Sequence, residues 1–159
     1  MRDIILYMKK AVLCFVISGE EVLMINRNKP PFMGLWNAVG GKVKDGEDIF
    51  TASKREIFEE SGISVNHAEL LSSFTWNYDD EQGYATITRL LENDFNRKDF
   101  PKLTEEGIVD FKPIDWVLNA KNYGVIEDLR VFIGDIKNGR KRDYHLVYDG
   151  KNLIEVIVK

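Results

Sequence analysis

Short apolar runs rich in β-branched residues, separated by turn sequences, account for most of the chain. "KAVLCFVI" and "EVLMIN" flank "SGEE" and predict a hairpin that turns at Ser18 to Glu21. "LLSSFTWNY" and "YATITRLLE" form a second pair around "DDEQG", and "GIVDFKPI" predicts a further strand. "YHLVYDGKNLIEVIV" predicts a closing hairpin that turns at Asp149-Gly150. Strands therefore dominate the predicted structure.

Two segments between these strands predict helices. The first runs from about Asp48 to Ser61 and stops at Gly62. The second is "IEDLRVFIGDIKNG", which has apolar residues at helical spacing and ends at Gly139. Two helices packed on the strands, with connections of both hairpin and crossover type, predict a mixed sheet in an α/β or α+β sandwich. The polar stretch from Glu92 to Gly107 predicts a long loop.

Length and composition limit the classes of function. The 159 residues fit a single domain spanning 1–159, and 44% hydrophobic with 30% charged residues is typical of a globular protein with a sizeable core. A formal net charge of -4 argues against a protein that coats a nucleic acid polymer. A small polyanionic ligand stays compatible with this charge, provided that a few cations or a metal meet it locally.

Cysteine usage and hydropathy predict a cytoplasmic protein that does not enter a membrane. The single Cys14 lies in an apolar run, which favours a buried thiol in a reducing compartment. The segment from Met8 to Gly19 is too short in its apolar part for an export signal, and Glu20 and Glu21 follow it. No uncharged apolar run approaches the ~20 residues that a membrane span requires. The sequence leaves open whether the protein is a monomer or a homodimer.

The first predicted helix carries three glutamates close together, Glu56, Glu59 and Glu60. Such like-charge pairs cost roughly 0.2–0.5 kcal/mol each. At ~100° per residue, the three carboxylates fall within one arc of about 100° that also holds Ala52 and Ile49, so they are expected to share the stripe that faces the protein. Carboxylates in that position must be protonated, paired or bound to a metal.

The donor types favour a hard cation. Carboxylate oxygens suit Mg²⁺, with Mn²⁺ also possible, and these ions commonly bridge to phosphate. His67 and His145 have no companion at ligand spacing, which disfavours zinc. Upstream, "VGGKVKDG" supplies glycines for a tight loop that can approach a ligand, and Lys42 can neutralise phosphate. The loop does not match a P-loop.

These residues together match the Nudix box, G-x5-E-x7-R-E-U-x-E-E-x-G-U, in which U is an apolar residue. The matching positions are Gly41, Glu47, Arg55, Glu56, Ile57, Glu59, Glu60, Gly62 and Ile63. The chain therefore resembles the Nudix hydrolases. The resemblance implies a mixed sheet sandwiched between helices, and metal-dependent hydrolysis of a nucleoside diphosphate linked to another group.

The resemblance also implies roles for individual residues. Glu56, Glu60 and the Gly41 carbonyl would bind Mg²⁺, and Glu59 would be a further metal ligand or the base that prepares the water. Arg55 would orient these groups. Many members of the family place one more carboxylate on a distant loop. Glu106 or its neighbour Glu105 could fill this place here, or both could belong to an ordinary polar loop.

The substrate is less constrained. "LWNAVGGKV" resembles the corresponding stretch of the MutT-like oxidised purine nucleoside triphosphatases, in which an Asn at the position of Asn37 hydrogen-bonds the purine. Asn37 could instead be a structural residue at a strand bend. The same resemblance suggests base contacts at the second helix for Tyr123 and Asp128, although their spacing is shifted from the family pattern.

Several other side chains have two interpretations. Arg27 and Lys29 could bind phosphate or could be solvated. Trp76 and Tyr84 could stack on a base or pack in the core.

The resulting hypothesis is a Mg²⁺-dependent hydrolase that cleaves a nucleoside triphosphate to monophosphate and pyrophosphate, with 8-oxo-dGTP or a related oxidised purine nucleotide as substrate. One alternative is hydrolysis of another nucleoside diphosphate derivative such as ADP-ribose. A second alternative is a non-catalytic Nudix module that senses nucleotides. Such modules usually lack one or more glutamates of the box, and all of them are present here.

Overall fold

Nine strands form one mixed sheet in the computed structural model, which describes residues 9–76 and 81–159. The elements in chain order are β1 (Lys9–Ser18), β2 (Glu21–Arg27), β3 (Trp36–Lys42), α1 (Ile49–Ser61), β4 (Glu69–Thr75), β5 (Glu81–Arg89), β6 (Lys102–Thr104), β7 (Gly107–Pro113), α2 (Ile114–Leu118), α3 (Asp128–Lys137), β8 (Tyr144–Asp149) and β9 (Asn152–Val158). Met8 of the segment weighed as an export signal, and residues 77–80 of the second predicted hairpin, lie outside the described residues.

The strand order across the sheet is β6-β7-β2-β3-β1-β5-β4-β8-β9. The pairs β1–β5 and β4–β8 are parallel and the remaining pairs are antiparallel, so the sheet is mixed as predicted. The predicted pairings of β1 with β2, β4 with β5 and β8 with β9 are confirmed.

Alternation along β1 separates two apolar layers. Val12, Cys14 and Val16 face α1, whereas Phe15 and Ile17 face α3. Helices thus cover both faces of the sheet, and the predicted fold class is confirmed. Cys14 is 1% exposed, as predicted, and burial raises the pKa of its thiol to about 12.

Three details differ from the sequence predictions. The predicted loop from Glu92 to Gly107 contains β6, because its last residues fold back on β7 as a short edge strand. A third helix, α2, follows Pro113 and buries Val117 against the α3 layer. The last hairpin turns at Gly150-Lys151, one residue later than predicted, with Gly150 at φ +61 in the first loop position.

The second predicted helix is shorter than its apolar pattern. α3 begins at Asp128 rather than Ile126 and ends at Lys137, with Asn138 as its C-cap. Within the described residues, no helix is long and apolar enough to cross a membrane.

Candidate active site

The acidic helix α1 begins and ends close to where the sequence predicts. The Asp48 side chain caps its N-terminus by accepting hydrogen bonds from the Phe50 N–H at 2.9 Å and the Thr51 N–H at 2.8 Å. Gly62 ends the helix at φ +78, and its N–H donates to the Phe58 carbonyl. Both ends are therefore set by local chemistry, which fixes the register of the glutamates between them.

Arg55 ties the loop before the helix to the helix itself. Its guanidinium donates to both carboxylate oxygens of Glu47 at 2.8 Å and to the Lys42 carbonyl at 3.0 Å. It also contacts Glu56 at 2.8 Å and Glu59 at 3.3 Å. The hydrogen bonds from Arg55 hold the pKa of Glu47 at about 2. Arg55 thus offsets the repulsion within the cluster and immobilises the loop.

The three helix glutamates differ in their exposure. Glu60 is 6% exposed, and the Glu56 side chain is 13% exposed, whereas the Glu59 side chain is 52% exposed. The expectation that all three share the buried stripe is therefore wrong for Glu59. Burial raises the pKa of Glu56 above its ordinary value, because desolvation outweighs the contact with Arg55.

The two glycines beside the helix lie in strand β3, not in the loop predicted from their sequence. The Gly40 N–H donates to Glu60 Oε2 at 3.1 Å. A Cβ atom on Gly41 would lie 2.6 Å from Glu56 Oε1, so the strand can approach this carboxylate only without a side chain. The backbone of β3 therefore contacts the two more buried glutamates directly.

The hairpin β6–β7 brings a further carboxyl group to the helix. The side chain of Glu106, at the tip of this hairpin, hydrogen-bonds Glu60. Burial and this contact raise the pKa of Glu60 to about 9. Two carboxyl groups in hydrogen-bond contact require a proton between them, or else a cation. Of the two candidates for the distant carboxylate, Glu106 is thus the one in contact with the helix glutamates.

Asn28 and Lys102 hold the hairpin tip in place. The Asn28 main-chain N–H donates to the Glu106 carbonyl at 3.0 Å, and its side-chain amide donates to the Glu105 carbonyl at 3.0 Å. The Lys102 ammonium donates to the Ser61 carbonyl at the end of α1 at 2.8 Å. Sequence reasoning missed both residues, because no spacing rule links positions that are 77 and 41 residues apart.

The donor set fits a divalent cation. Among the described residues, no three His, Cys, Asp or Glu side chains are gathered as a ready-made metal site. The oxygen donors are nevertheless adjacent, since Glu56 lies against Gly41 and Glu60 contacts Glu106. A cation there would let Glu60 and Glu106 both be anions, which their mutual contact otherwise forbids.

A cavity of about 460 Å³ opens beside these carboxylates. Its lining brings together five of the residues singled out from the sequence: Arg27, Asn37, Gly41, Glu60 and Asp128. Its wall also includes aromatic side chains that come from distant parts of the chain: Phe32, Phe74, Trp76 and Tyr148. An apolar, aromatic wall with a few converging polar groups is typical of a pocket for a small ligand.

Two polar groups in the cavity have capacity for a ligand. Asn37 Oδ1 accepts a hydrogen bond from the Ala38 N–H at 2.9 Å, which leaves the amide NH₂ as a donor. Asp128 is 7% exposed, and its Oδ1 has no hydrogen-bond partner within the described part of the chain. Burial raises the pKa of Asp128 to about 6, against a hydrogen bond from the Tyr148 hydroxyl.

The remaining candidate residues divide between the cavity and other parts of the molecule. Tyr123 is 87% exposed and Lys42 is also exposed, and neither lines the cavity. Trp76 lines the cavity and packs edge-to-face on Phe74 with ring centroids 4.9 Å apart. Tyr84 packs in the opposite layer, beneath α1. Arg27 lines the cavity, and its Nε donates to the Pro31 carbonyl at 3.0 Å.

Curated relatives match part of the chain. Over 54 residues it is 43% identical to the oxidized purine nucleoside triphosphate hydrolase of Mus musculus, a match that covers 34% of this chain and 35% of that protein. Over 127 residues it is 26% identical to the NAD-capped RNA hydrolase NudC of Actinobacillus succinogenes, covering 69% of this chain and 48% of that protein. The matched region thus spans less than half the length of either relative.

The fold has a solved counterpart over nearly its full length. The crystal structure of the mutator MutT protein from Bacillus halodurans superposes with a TM-score of 0.76 at 22% identity, and the match covers 95% of this chain and 97% of that one. At this identity the likeness concerns the fold. The family itself follows from sequence, since the NUDIX domain model matches residues 8–129, well over half of the chain. By that match and by the complete box from Gly41 to Ile63, the chain belongs to the Nudix family.

Proposed function

We propose that this protein is a Mg²⁺-dependent pyrophosphohydrolase, able to use Mn²⁺, that cleaves a nucleoside triphosphate to monophosphate and pyrophosphate. The leading substrate is 8-oxo-dGTP or a related oxidised purine nucleotide. The proposal rests on one observation, that candidate diphosphate-binding groups and candidate base-binding groups line one cavity. Glu60 and Gly41 lie on the same lining as Asn37 and Asp128. A nucleotide in this cavity can therefore meet base-binding and diphosphate-binding groups at once.

The carboxylate end of the cavity suits a diphosphate. Glu56, Glu60 and the Gly41 carbonyl would hold Mg²⁺, which supplies charge neutralisation of the diphosphate and a lowered pKa for a bound water. Arg55 keeps Glu56 oriented by a 2.8 Å contact. Glu106, whose main chain is held by the hydrogen bond from Asn28, completes the acidic group beside Glu60.

Glu59 is the best placed side chain to move a proton. It is the most exposed of the three helix glutamates, and its contact with Arg55 is the longest, at 3.3 Å. A carboxylate in this position can turn toward a water molecule at small energetic cost. Glu59 would thus serve as the base or as a further metal ligand, while the more buried glutamates stay fixed.

The base end of the cavity suits a purine. The Asn37 amide donates, and an ionised Asp128 accepts hydrogen bonds, so together they can address a base edge that carries both kinds of group. Trp76 and Phe74 offer apolar surface for the ring. Support for an oxidised purine comes from the mouse relative, an oxidized purine nucleoside triphosphate hydrolase, which is 43% identical over its matched region.

Another nucleoside diphosphate derivative, such as ADP-ribose, is the second candidate. The longer match, to the NAD-capped RNA hydrolase NudC, favours it, because the NAD group in that name contains a diphosphate that joins two nucleosides. Hydrolysis of either candidate would cleave a phosphoric anhydride bond at the same carboxylate site. They differ in what occupies the remainder of the cavity.

A substrate panel tests the proposal. The purified protein with Mg²⁺ should convert 8-oxo-dGTP to its monophosphate and pyrophosphate with a higher kcat/KM than dGTP. It should also prefer 8-oxo-dGTP to ADP-ribose, whose hydrolysis is followed as release of AMP and ribose 5-phosphate. Asn37→Ala should reduce the preference for the oxidised purine over dGTP. Turnover of ADP-ribose without turnover of any triphosphate would replace the first candidate by the second. Absence of turnover on the whole panel with Mg²⁺ and with Mn²⁺ would favour the nucleotide-sensing alternative.

A further inference from the structure

The sheet ends on an apolar strand whose outer edge has no partner. Among residues 9–76 and 81–159, no strand pairs with β9 on the side away from β8. The opposite edge strand, β6, is only three residues long, whereas β9 has seven. Four aliphatic residues of β9 are exposed, namely Ile154 (63%), Val156 (39%), Ile157 (40%) and Val158 (53%). A long apolar edge of this kind is a template for pairing with another strand.

The hydrogen bonds of β9 show which main-chain groups point outward. The Lys159 N–H donates to the Asp143 carbonyl at 2.9 Å, on the β8 side. Alternation in an antiparallel pair then directs the N–H and C=O groups of Glu155 and Ile157 toward β8, and those of Val156 and Val158 outward. Toward the start of the strand, the Leu153 N–H is already used by the Glu127 carboxylate at 3.0 Å. The open part of the edge beyond this contact therefore includes Val156 and Val158.

We propose that β9 pairs with β9 of a second copy, antiparallel, about a two-fold axis at Ile157. In this register Val156 and Val158 lie opposite the partner's Val158 and the partner's Val156. Each of these pairs can exchange two main-chain hydrogen bonds, which uses the outward groups of Val156 and Val158. Ile157 lies opposite the partner's Ile157 as a non-hydrogen-bonded pair, and the two sheets continue into one.

Charge complementarity selects this register and a second copy as the occupant. With the axis at Ile157, Glu155 lies opposite the partner's Lys159, and the symmetry makes this pair twice. An axis at Glu155 would oppose two carboxylates, and an axis at Val156 would place Lys159 opposite the partner's Leu153. Within the described part of the chain, neither Glu155 nor Lys159 has an ion-pair partner, and the Lys159 ammonium contacts the Thr75 hydroxyl at 3.4 Å. Glu155 is thus available to the pairing, and Lys159 would exchange its contact with Thr75 for one with the partner's Glu155.

A charge exchange tests the register. Sedimentation velocity over a range of concentrations should show a monomer–dimer equilibrium for the unaltered chain. Glu155→Lys or Lys159→Glu alone should raise the dissociation constant about tenfold or more, because each creates two like-charge pairs. The double variant should return it to within about threefold of the original value. Leu103→Lys, at an 82% exposed position on the opposite edge strand, is the matched control and should leave the equilibrium unchanged.

A cysteine at the axis gives an independent measurement. Ile157→Cys should form a disulfide-linked dimer under mild oxidation, since opposed non-hydrogen-bonded positions bring Cβ atoms within disulfide range. Ile154→Cys, also exposed on β9 but away from the axis, should cross-link far less, and the buried Cys14 should not cross-link at all. A chain that stays monomeric at its highest soluble concentration would overturn the proposal, as would failure of the double variant to recover. Neither readout depends on hydrolysis, so these results are separate from the test of the proposed function.

Discussion

The adjacent glycines Gly40 and Gly41 allow a sharp test of the carboxylate site. An alanine at Gly41 would place its Cβ 2.6 Å from Glu56 Oε1, 2.7 Å from Cδ and 2.9 Å from Oε2. The backbone of Gly41 is not in the left-handed region, so the carboxylate of Glu56 is the main obstacle. Since ordinary contact begins at about 3.4 Å, the carboxylate must retreat by about 0.8 Å. Gly41→Ala therefore displaces one proposed metal ligand and leaves the sheet intact.

The expected result is a loss of catalysis without a loss of stability. A displacement near 1 Å in a reacting constellation can reduce the rate about 100-fold. The substitution also reduces the conformational freedom of the unfolded chain, which favours folding by about 0.4–1 kcal/mol. This gain offsets part of the cost of moving Glu56. We expect kcat for pyrophosphate release at saturating Mg²⁺ to fall about 10- to 100-fold, with the free energy of unfolding changed by less than about 1 kcal/mol.

Two glycine variants serve as controls. Gly40→Ala places its Cβ 2.1 Å from the Val12 carbonyl of β1, a backbone atom that cannot move without opening the sheet. It should lose about 1–3 kcal/mol of stability or more. Gly134→Ala, in α3 with open space around it, should keep full activity and gain up to about 1 kcal/mol. Wild-type kcat in Gly41→Ala, or a destabilisation equal to that of Gly40→Ala, would refute the reasoning.

Three further predictions concern the same site. In metal-free protein, the raised pKa of Glu60 keeps this group protonated in the folded state while the unfolded chain ionises, so stability should fall as pH rises from about 4.5 to about 9. Chemical denaturation in EDTA should show this fall, and Glu60→Gln should remove most of it; an unchanged profile in that variant would assign the effect to another group. Asn28→Ala removes the 3.0 Å side-chain hydrogen bond to the hairpin tip, which is worth about 0.5–1.5 kcal/mol. This variant should lower kcat more than it changes KM. As a control, Asn93→Ala at an exposed position should alter neither constant. Glu56→Gln should preserve the fold by circular dichroism and reduce turnover by about two orders of magnitude or more, since a neutral amide replaces an anionic ligand; near-normal turnover would count against the carboxylate site.

The helix that carries the box was predictable from sequence because all its determinants are local. Asp48 and Gly62 set its ends by capping, and the helical period converts the spacing of Glu56 and Glu60 into a shared face. The same argument overestimated the burial of Glu59. Glu59 and Glu60 lie at opposite edges of the arc, and only Glu60 is covered by β3 and by the hairpin that carries Glu106. The paired strands were predictable for a similar reason, since turn residues lie between neighbouring apolar runs.

The choice of Glu106 over Glu105 was not predictable from sequence. It depends on the short strand β6 and on two hydrogen bonds. One runs from the Asn28 side chain to the Glu105 carbonyl, and the other from the Lys102 ammonium to the Ser61 carbonyl at the end of α1. The cavity was not predictable either, since Asn37, Trp76 and Asp128 meet there from three separate parts of the chain. Periodicity assigns such residues to a face of a strand or helix, but it does not say which strands become neighbours.

By itself, the sequence determined the family, the acidic helix and the type of cation that its oxygens suit, since these follow from spacing within a single element and its flanking loop. Only the tertiary structure decided which distant carboxyl group contacts Glu60, where a cavity adjoins it, and that β9 ends the sheet with an open edge. The physical reason is that helix direction and capping depend on residues a few positions apart, whereas strand order and register depend on the free energy of the whole packed sheet.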